Sequence, residues 1–104
     1  MANLIILYWR DIPAQVIAET GRGRNRNQAK LELSRRFSIA IDEAAMRDGA
    51  ASTDDYLAEW RRSDPVPCGD DLAAEAAASA AKLENEYPAE RVRELVANGG
   101  HAPV

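Results

Sequence analysis

The apolar run from Asn3 to Trp9 most strongly constrains the fold of this chain of 104 residues. It is rich in β-branched and aromatic residues and has the length of a β-strand. Its side chains do not alternate between apolar and polar, which predicts a central strand or a strand covered on both faces. Because proline cannot donate a backbone hydrogen bond, Pro13 predicts a turn or the start of a strand soon afterwards.

Two further strands extend this run into a predicted meander. Residues 14–20 favour a second strand that forms a hairpin with the first. Ala29, Leu31 and Leu33 then alternate with charged residues, a period of two that is typical of a half-buried strand. The short connections predict a three-stranded antiparallel sheet.

The pattern changes to helical after the third strand. Apolar residues recur at helical spacing over residues 35–48, which predicts an amphipathic helix on one face of the sheet, capped by Ser34. A second helix is expected from Ser52 to Arg62, with acidic residues in its first turn and arginines in its last. Pro65 and Pro67 are expected to end it.

The remaining sequence is alanine-rich and predicts two more helices. The first covers residues 72–86, and either Asp70 or Asp71 is expected to cap it. The second covers residues 89–97, with Pro88 in its first turn. Their apolar stripes are thin, so these helices must dock on the first part of the chain or on a partner.

These elements predict an α+β protein in two parts. An α+β domain is expected over residues 1–64, and an alanine-rich helical extension with a disordered tail is expected over residues 65–104.

Charge is unevenly distributed along the chain. The formal net charge is −4, but residues 1–47 carry +3 and residues 48–104 carry −7. An acidic chain argues against binding nucleic acid over its whole surface, so any such contact must be local. The acidic half could also fold over the basic half.

The most basic segment is the loop that contains Arg22, Arg24 and Arg26 among glycines and asparagines. Such a loop exposes its arginines. One interpretation is a solvated hairpin tip. The other is a contact with phosphate or an acidic protein face, since guanidinium groups suit both. Nucleic acid is less favoured because exposed aromatic residues do not accompany the arginines.

Trp9 and Arg10 form a second candidate surface at the end of the first strand. Arg10 could pair with Asp11 or Glu19 in a structural role. Alternatively, a Trp and an Arg at a strand end could form a protein-binding hot spot.

The sequence offers no convincing catalytic group, and we predict no catalytic residue, metal site or cofactor. His101 is the only histidine and lies in the expected disordered tail. Cys68 is the only cysteine, and nearby aspartates disfavour its thiolate. The aspartate pairs at 54–55 and 70–71 suit helix starts, although a magnesium or acid/base role stays open.

The cysteine count and the hydropathy of the chain indicate the cellular compartment of the protein. A single cysteine cannot form an internal disulfide, which favours a reducing environment. The apolar run at the N-terminus is too short for a membrane span and lacks the pattern of a signal peptide. We therefore expect a cytoplasmic protein that does not contact membranes.

Three blocks of sequence resemble a known family. They are Tyr8–Val16 (YWRDIPAQV), Arg36–Phe37 leading into Ala40–Met46 (AIDEAAM), and Asp55–Arg62 (DYLAEWRR). Together they are similar to the small bacterial virulence factor domain family, whose domain also occurs in the larger conserved virulence factor C. The resemblance covers about residues 3–62, and the segment after Pro67 looks like an extension.

The resemblance implies no catalytic residue, cofactor or substrate. In some bacteria the stand-alone domain is encoded beside corrinoid and methyltetrahydrofolate methyltransfer proteins, which implies an accessory role in one-carbon metabolism. We therefore expect a non-enzymatic accessory module that binds a protein partner, with a homodimer left open. The alternative is a binder of phosphate ligands or nucleic acid through Arg22, Arg24 and Arg26.

Overall fold

The computed structural model describes residues 2–21, 27–47 and 53–102, and over these residues the chain is an α+β protein. A five-stranded antiparallel sheet carries four helices in this part of the chain. The strands are β1 (Ala2–Trp9), β2 (Ile12–Thr20), β3 (Asn27–Glu32), β4 (Trp60–Arg62) and β5 (Val66–Cys68). The helices are α1 (Arg35–Arg47), α2 (Thr53–Ala58), α3 (Leu72–Glu86) and α4 (Ala89–Ala97).

β1 is the central strand, as its lack of alternation predicts. The sheet order is β3-β2-β1-β4, and β5 pairs with β1 as well. β4 lies opposite residues 7–9 of β1 and β5 lies opposite residues 2–4, so the two short strands share one edge of β1. The predicted meander of β1, β2 and β3 is confirmed within this larger sheet.

The prediction of a helix up to Arg62 is wrong. α2 ends at Ala58, and Trp60–Arg62 forms β4 instead. Tyr8 pairs with Arg61, and the Arg10 amide donates to the Glu59 carbonyl at 3.1 Å. Pairing with β1 satisfies backbone groups that a further helical turn would otherwise satisfy, so tertiary context outweighs local propensity here.

The sequence does not predict β5, because Pro65 and Pro67 indicate only the end of a helix. Pro67 pairs with Asn3, and among the described strands β5 pairs with β1 alone. A proline is tolerated at such an edge because its missing N–H is not needed by a further strand.

Both C-terminal helices dock on the rest of the protein. α3 packs against β2 and β3, and α4 packs against α1. One hydrophobic cluster contains Val16 from the sheet, Phe37 from α1, Leu83 from α3 and Leu95 from α4. Residues on both sides of position 64 therefore share one core, and a division of the chain at that position stays a prediction.

Candidate functional site

Trp9 is enclosed at the end of β1. Its side chain is fully buried, and its Nε1 donates to the Tyr56 carbonyl at 2.9 Å. The Trp9 ring also stacks with the Tyr56 ring, with centroids 5.9 Å apart. These contacts attach β1 to α2, and a binding role for Trp9 stays a prediction.

Arg10 is also buried, with 9% of its surface exposed. Its Nη1 donates to the Gly99 carbonyl at 2.6 Å, and its Nη2 lies 3.5 Å from Glu59 Oε1. The expected pairing with Asp11 or Glu19 is therefore replaced by a pairing with Glu59. Arg10 joins the turn before β4 to the C-terminal turn, and a role for it in binding a partner stays a prediction.

The basic loop lies mostly beyond what the structure describes. Arg22, Arg24 and Arg26 all fall outside the described residues. Thr20 of β2 and Asn27 of β3, which flank them, are paired across the hairpin. The binding role of these arginines stays a prediction.

Cys68 and His101 are two residues that the sequence analysis weighed as catalytic groups. Burial, followed by the charges of Glu75 and Asp70, raises the pKa of the Cys68 thiol, so the thiolate is disfavoured at neutral pH. His101 is exposed beyond α4. Among the residues that the structure describes, no group of three or more His, Cys, Asp or Glu side chains could hold a metal ion.

A cleft between β1, β4 and α4 gathers arginines and tyrosines. We call it the arginine–tyrosine cleft, and its defining residues are Tyr8, Arg61, Tyr87 and Arg91. Its volume is about 450 Å³, within the range of small-molecule sites. The other lining residues are Asp11, Arg62, Ser63, Asp64, Leu95 and Ala102.

Each of two guanidinium groups in this cleft lies over a tyrosine ring. Arg61 Cζ lies 4.5 Å from the centre of the Tyr8 ring, and Arg91 Cζ lies 4.1 Å from the centre of the Tyr87 ring. The register of β1 and β4 produces the first pair by placing Tyr8 opposite Arg61. Cation–π contacts of this kind restrict the guanidinium orientation.

Backbone carbonyls hold the same arginines in place. Arg61 Nε donates to the Arg10 carbonyl at 2.9 Å, and Arg61 Nη2 contacts Asp11 Oδ1 at 3.2 Å. Arg91 Nη1 donates to the Glu86 carbonyl at 2.8 Å. No carboxylate in the described part of the chain pairs with Arg91, so its positive charge remains uncompensated by an ion pair there.

The Tyr8 hydroxyl can donate a hydrogen bond in this cleft. Burial raises its pKa most, Tyr87 adds to the increase, and Arg61 opposes it. The group therefore stays protonated at neutral pH. It forms no hydrogen bond with any residue in the described ranges.

A second concave surface lies between α1 and α4. We call it the α1–α4 groove, and its volume is about 400 Å³. Its apolar floor consists of Ile39, Ala40, Ala89, Val92, Val96 and Ala97. Its charged lining residues are Arg36, Glu43, Arg47 and Arg93.

This groove leaves large apolar side chains in solvent. Ile39 is 44% exposed, and the adjoining Met46 is 74% exposed. Arg36 is neutralised by Glu84 at 2.9 Å, but Arg47 and Arg93 pair with no carboxylate among the described residues. The groove is therefore apolar at its centre and positive at its rim.

The family profile that describes the virulence factor family matches residues 7–96. The chain belongs to the virulence factor family. This match confirms the family resemblance and continues past residue 62 to residue 96 in α4, so the expectation that the segment after Pro67 is an extension outside the family is wrong. No curated protein and no solved structure matches the chain.

Most of the residues that line the two surfaces of this virulence factor family member fall within the matched residues. Ala97 of the groove and Ala102 of the cleft lie beyond the match. Separately, no helix in the described ranges has both the length and the apolar character needed to span a membrane.

Sequence reasoning missed both surfaces. The cleft combines β1, β4, the α3–α4 connection and α4, and its Arg61 was assigned to a helix. Of the contacts in the cleft, the sequence could have predicted only that between Tyr87 and Arg91, because residues four apart are neighbours on a helix surface. For the groove, the sequence offers one signal, because Ile39 and Met46 are large apolar residues on the exposed side of an amphipathic helix. That signal does not predict that α4 lies beside α1 and forms the second wall of the groove.

Proposed function

We propose that this virulence factor family member is a non-enzymatic interaction module that binds an acidic amphipathic helix of a partner protein in the α1–α4 groove. The observation that carries the proposal is an apolar groove, with Ile39 exposed in it, bordered by arginines on an otherwise acidic protein.

The shape of the groove favours a helix. Its lining residues recur at positions 36, 39, 40, 43 and 47 of α1 and at positions 89, 92, 93, 96 and 97 of α4. Spacings of three and four residues place them along the valley between two packed helices. Alanines in the floor allow a third helix to approach closely, and grooves of this kind accept the apolar face of an amphipathic helix.

The positive charge at the rim of the groove favours a partner helix that carries acidic residues. Arg47 and Arg93 lie at the rim, and Glu43 is the acidic residue in the lining. The whole chain carries −4, so this rim is a local reversal of sign. Arginine binds carboxylates through two parallel hydrogen bonds, which favours Asp or Glu beside the apolar face of the partner.

The family resemblance supports a first choice of partner. Corrinoid and methyltetrahydrofolate methyltransfer proteins are the candidates that it implies, and an accessory role in one-carbon metabolism would follow from their binding. The alternative function, phosphate or nucleic-acid binding through Arg22, Arg24 and Arg26, predicts affinity that falls with salt and with replacement of these arginines by Ala.

Two synthetic amphipathic peptides test the proposal. Both carry leucines at helical spacing on one face, and they differ only in having glutamates or lysines beside that face. By fluorescence anisotropy we expect the glutamate peptide to bind and the lysine peptide to fail. Combined Arg47→Glu and Arg93→Glu should weaken binding on the order of tenfold, since charge complementarity becomes repulsion.

Matched controls separate the groove from general charge effects. Arg35→Glu changes an exposed arginine of α1 that lies outside the groove, and Leu57→Asp changes an exposed leucine of α2. Both should leave peptide binding unchanged, whereas Ile39→Asp should abolish it. Equal binding of the two peptides, or equal effects of the two sets of variants, would overturn the proposal.

The native partner can be identified with a photo-crosslinking residue at position 39, introduced into the full chain in cells. Crosslinking to an acidic amphipathic segment, lost on Arg47→Glu and Arg93→Glu, supports the groove. Crosslinking to a second copy of the chain, to a basic segment or to nothing contradicts it. A partner outside methyltransfer metabolism would contradict the one-carbon role alone.

A further inference from the structure

The arginine–tyrosine cleft is a separate site, and nothing in the proposed helix interaction uses it. It lies at the β4 edge, beside α4, and shares no lining residue with the α1–α4 groove. We infer that the cleft binds a small ligand through an oxyanion, either a carboxylate or a phosphate group.

Charge in the cleft favours an anion of low charge. Its charged lining consists of three arginines and two aspartates, which leaves one net positive charge. Asp11 is already engaged, because Arg61 contacts its Oδ1 at 3.2 Å and the Ala102 amide donates to its Oδ2 at 2.6 Å. Arg62 and Arg91 pair with no carboxylate in the described part of the chain.

Arg61 and Arg91 are held in place before a ligand arrives. Arg91 is fixed by the Tyr87 ring at 4.1 Å and by the Glu86 carbonyl, which accepts from only one of its terminal nitrogens. The remaining N–H groups of Arg91 donate to no described residue. A guanidinium that is already oriented loses little conformational entropy on binding, and its fork matches the geometry of an oxyanion.

Two tyrosines add to the recognition. The Tyr8 and Tyr87 side chains both line the cleft, and the Tyr8 hydroxyl, which donates to no described residue, is available as a hydrogen-bond donor. Leu95 contributes an apolar wall. A ligand with an oxyanion at one end and a flat apolar part at the other would contact all of these groups.

The two sources of an oxyanion are distinguished by two titration series. Inorganic phosphate and phenyl phosphate form one series, and acetate and benzoate form the other, all at ionic strength held constant with sodium chloride. Binding is followed by the amide signals of Ser63 and Leu95 and by the Nε signal of Arg91 in ¹⁵N-correlated NMR spectra. Saturable shifts in one series identify the group, and shifts in both identify a general oxyanion site.

Two variants at the cleft and one matched variant complete the test. Arg91→Gln should weaken binding on the order of tenfold, and Tyr8→Phe should weaken it several-fold, since each removes a hydrogen bond to a charged group. Arg35→Gln removes an exposed arginine of α1 that lines neither the cleft nor the groove, and should leave anion binding unchanged. Absence of saturable shifts with all four anions, or equal effects of Arg91→Gln and Arg35→Gln, would overturn the inference.

Discussion

The guanidinium of Arg36 at the start of α1 lies 2.9 Å from the carboxylate of Glu84 near the end of α3. Arg36 Nη2 also donates to the Glu84 and Tyr87 carbonyls, at 2.9 and 3.1 Å. Glu84 in turn accepts from the Ser34 amide at 2.7 Å and from the Ser34 hydroxyl at 2.8 Å. The beginning of α1 is thereby attached to the end of a helix that sequence reasoning placed in a separate extension.

Glu84→Ala should lower the free energy of unfolding by about 1–2 kcal/mol, because it removes two hydrogen bonds to Ser34. The ion pair with Arg36 adds little, since both side chains are partly exposed. Urea unfolding gives the value. Glu86→Ala is the matched control, since among the described residues the Glu86 carboxylate makes only a long contact of 3.9 Å, with Lys82, and the substitution keeps the backbone carbonyl that accepts from Arg91. Equal losses for the two variants would contradict the role assigned to Glu84.

Gly100→Ala should destabilise the fold by about 2–4 kcal/mol, combining backbone strain with overpacking. Gly100 has φ of +92°, and an added Cβ would lie 2.9 Å from Cζ3 of the buried Trp9. Gly69→Ala provides the comparison, because its Cβ would meet only the flexible end of Glu75 at 3.3 Å. Thermal unfolding followed by tryptophan fluorescence should show a much larger fall in Tm for Gly100→Ala. A similar fall for both would show that Trp9 does not restrict this position.

Arg10→Gly should be less destabilising than Arg10→Ala by roughly 1 kcal/mol, although glycine is normally the worse replacement in a folded chain. Arg10 has φ of 54°, in the left-handed region that glycine adopts without strain. Both variants remove the hydrogen bond to Gly99 and the contact with Glu59, so both should be destabilised by a few kcal/mol relative to the native chain. Chemical denaturation of the three proteins measures the difference, and greater stability of Arg10→Ala would contradict it.

Alkaline pH should destabilise the protein partly through Tyr8. The folded state raises the pKa of Tyr8 above 10.0, chiefly by burial. Below pH 10 the hydroxyl is protonated in both states, and above it the unfolded state releases the proton more readily, so stability falls as pH rises. Urea unfolding between pH 9 and 11 should show a shallower decline for Tyr8→Phe.

Tyr56 and Cys68 contribute to the same alkaline decline, since burial raises the pKa of each. Some decline should therefore persist in Tyr8→Phe, and Tyr56→Phe should also reduce it. An unchanged dependence in Tyr8→Phe would show that this hydroxyl titrates alike in the folded and unfolded states.

Local sequence determined the elements whose signals are strong and continuous. The apolar run of β1, the helical spacing of α1 and the alanine-rich composition of α3 each predict the element that the structure contains. Asp71, one of the two predicted caps, accepts from the Ala74 amide at 3.2 Å. These features depend on neighbours within about four residues, so the sequence alone is sufficient.

Capping of α1 shows where that reasoning fails. Ser34 is predicted to cap the helix with its side chain, but its hydroxyl donates to Glu84 and accepts from Arg36. A distant carboxylate therefore competes for a side chain whose role looks local in the sequence.

The tertiary structure alone decided the assignment of Trp60–Arg62 to a strand, the pairing of Arg10 with Glu59 and the position of Arg61 over Tyr8. Arg61 and Tyr8 are brought together only because β4 pairs with the central strand. Arg91 reaches the same cleft because α4 packs on α1. Each contact joins residues that are far apart in the chain, and its free energy depends on burial and strand pairing, which local propensity does not contain.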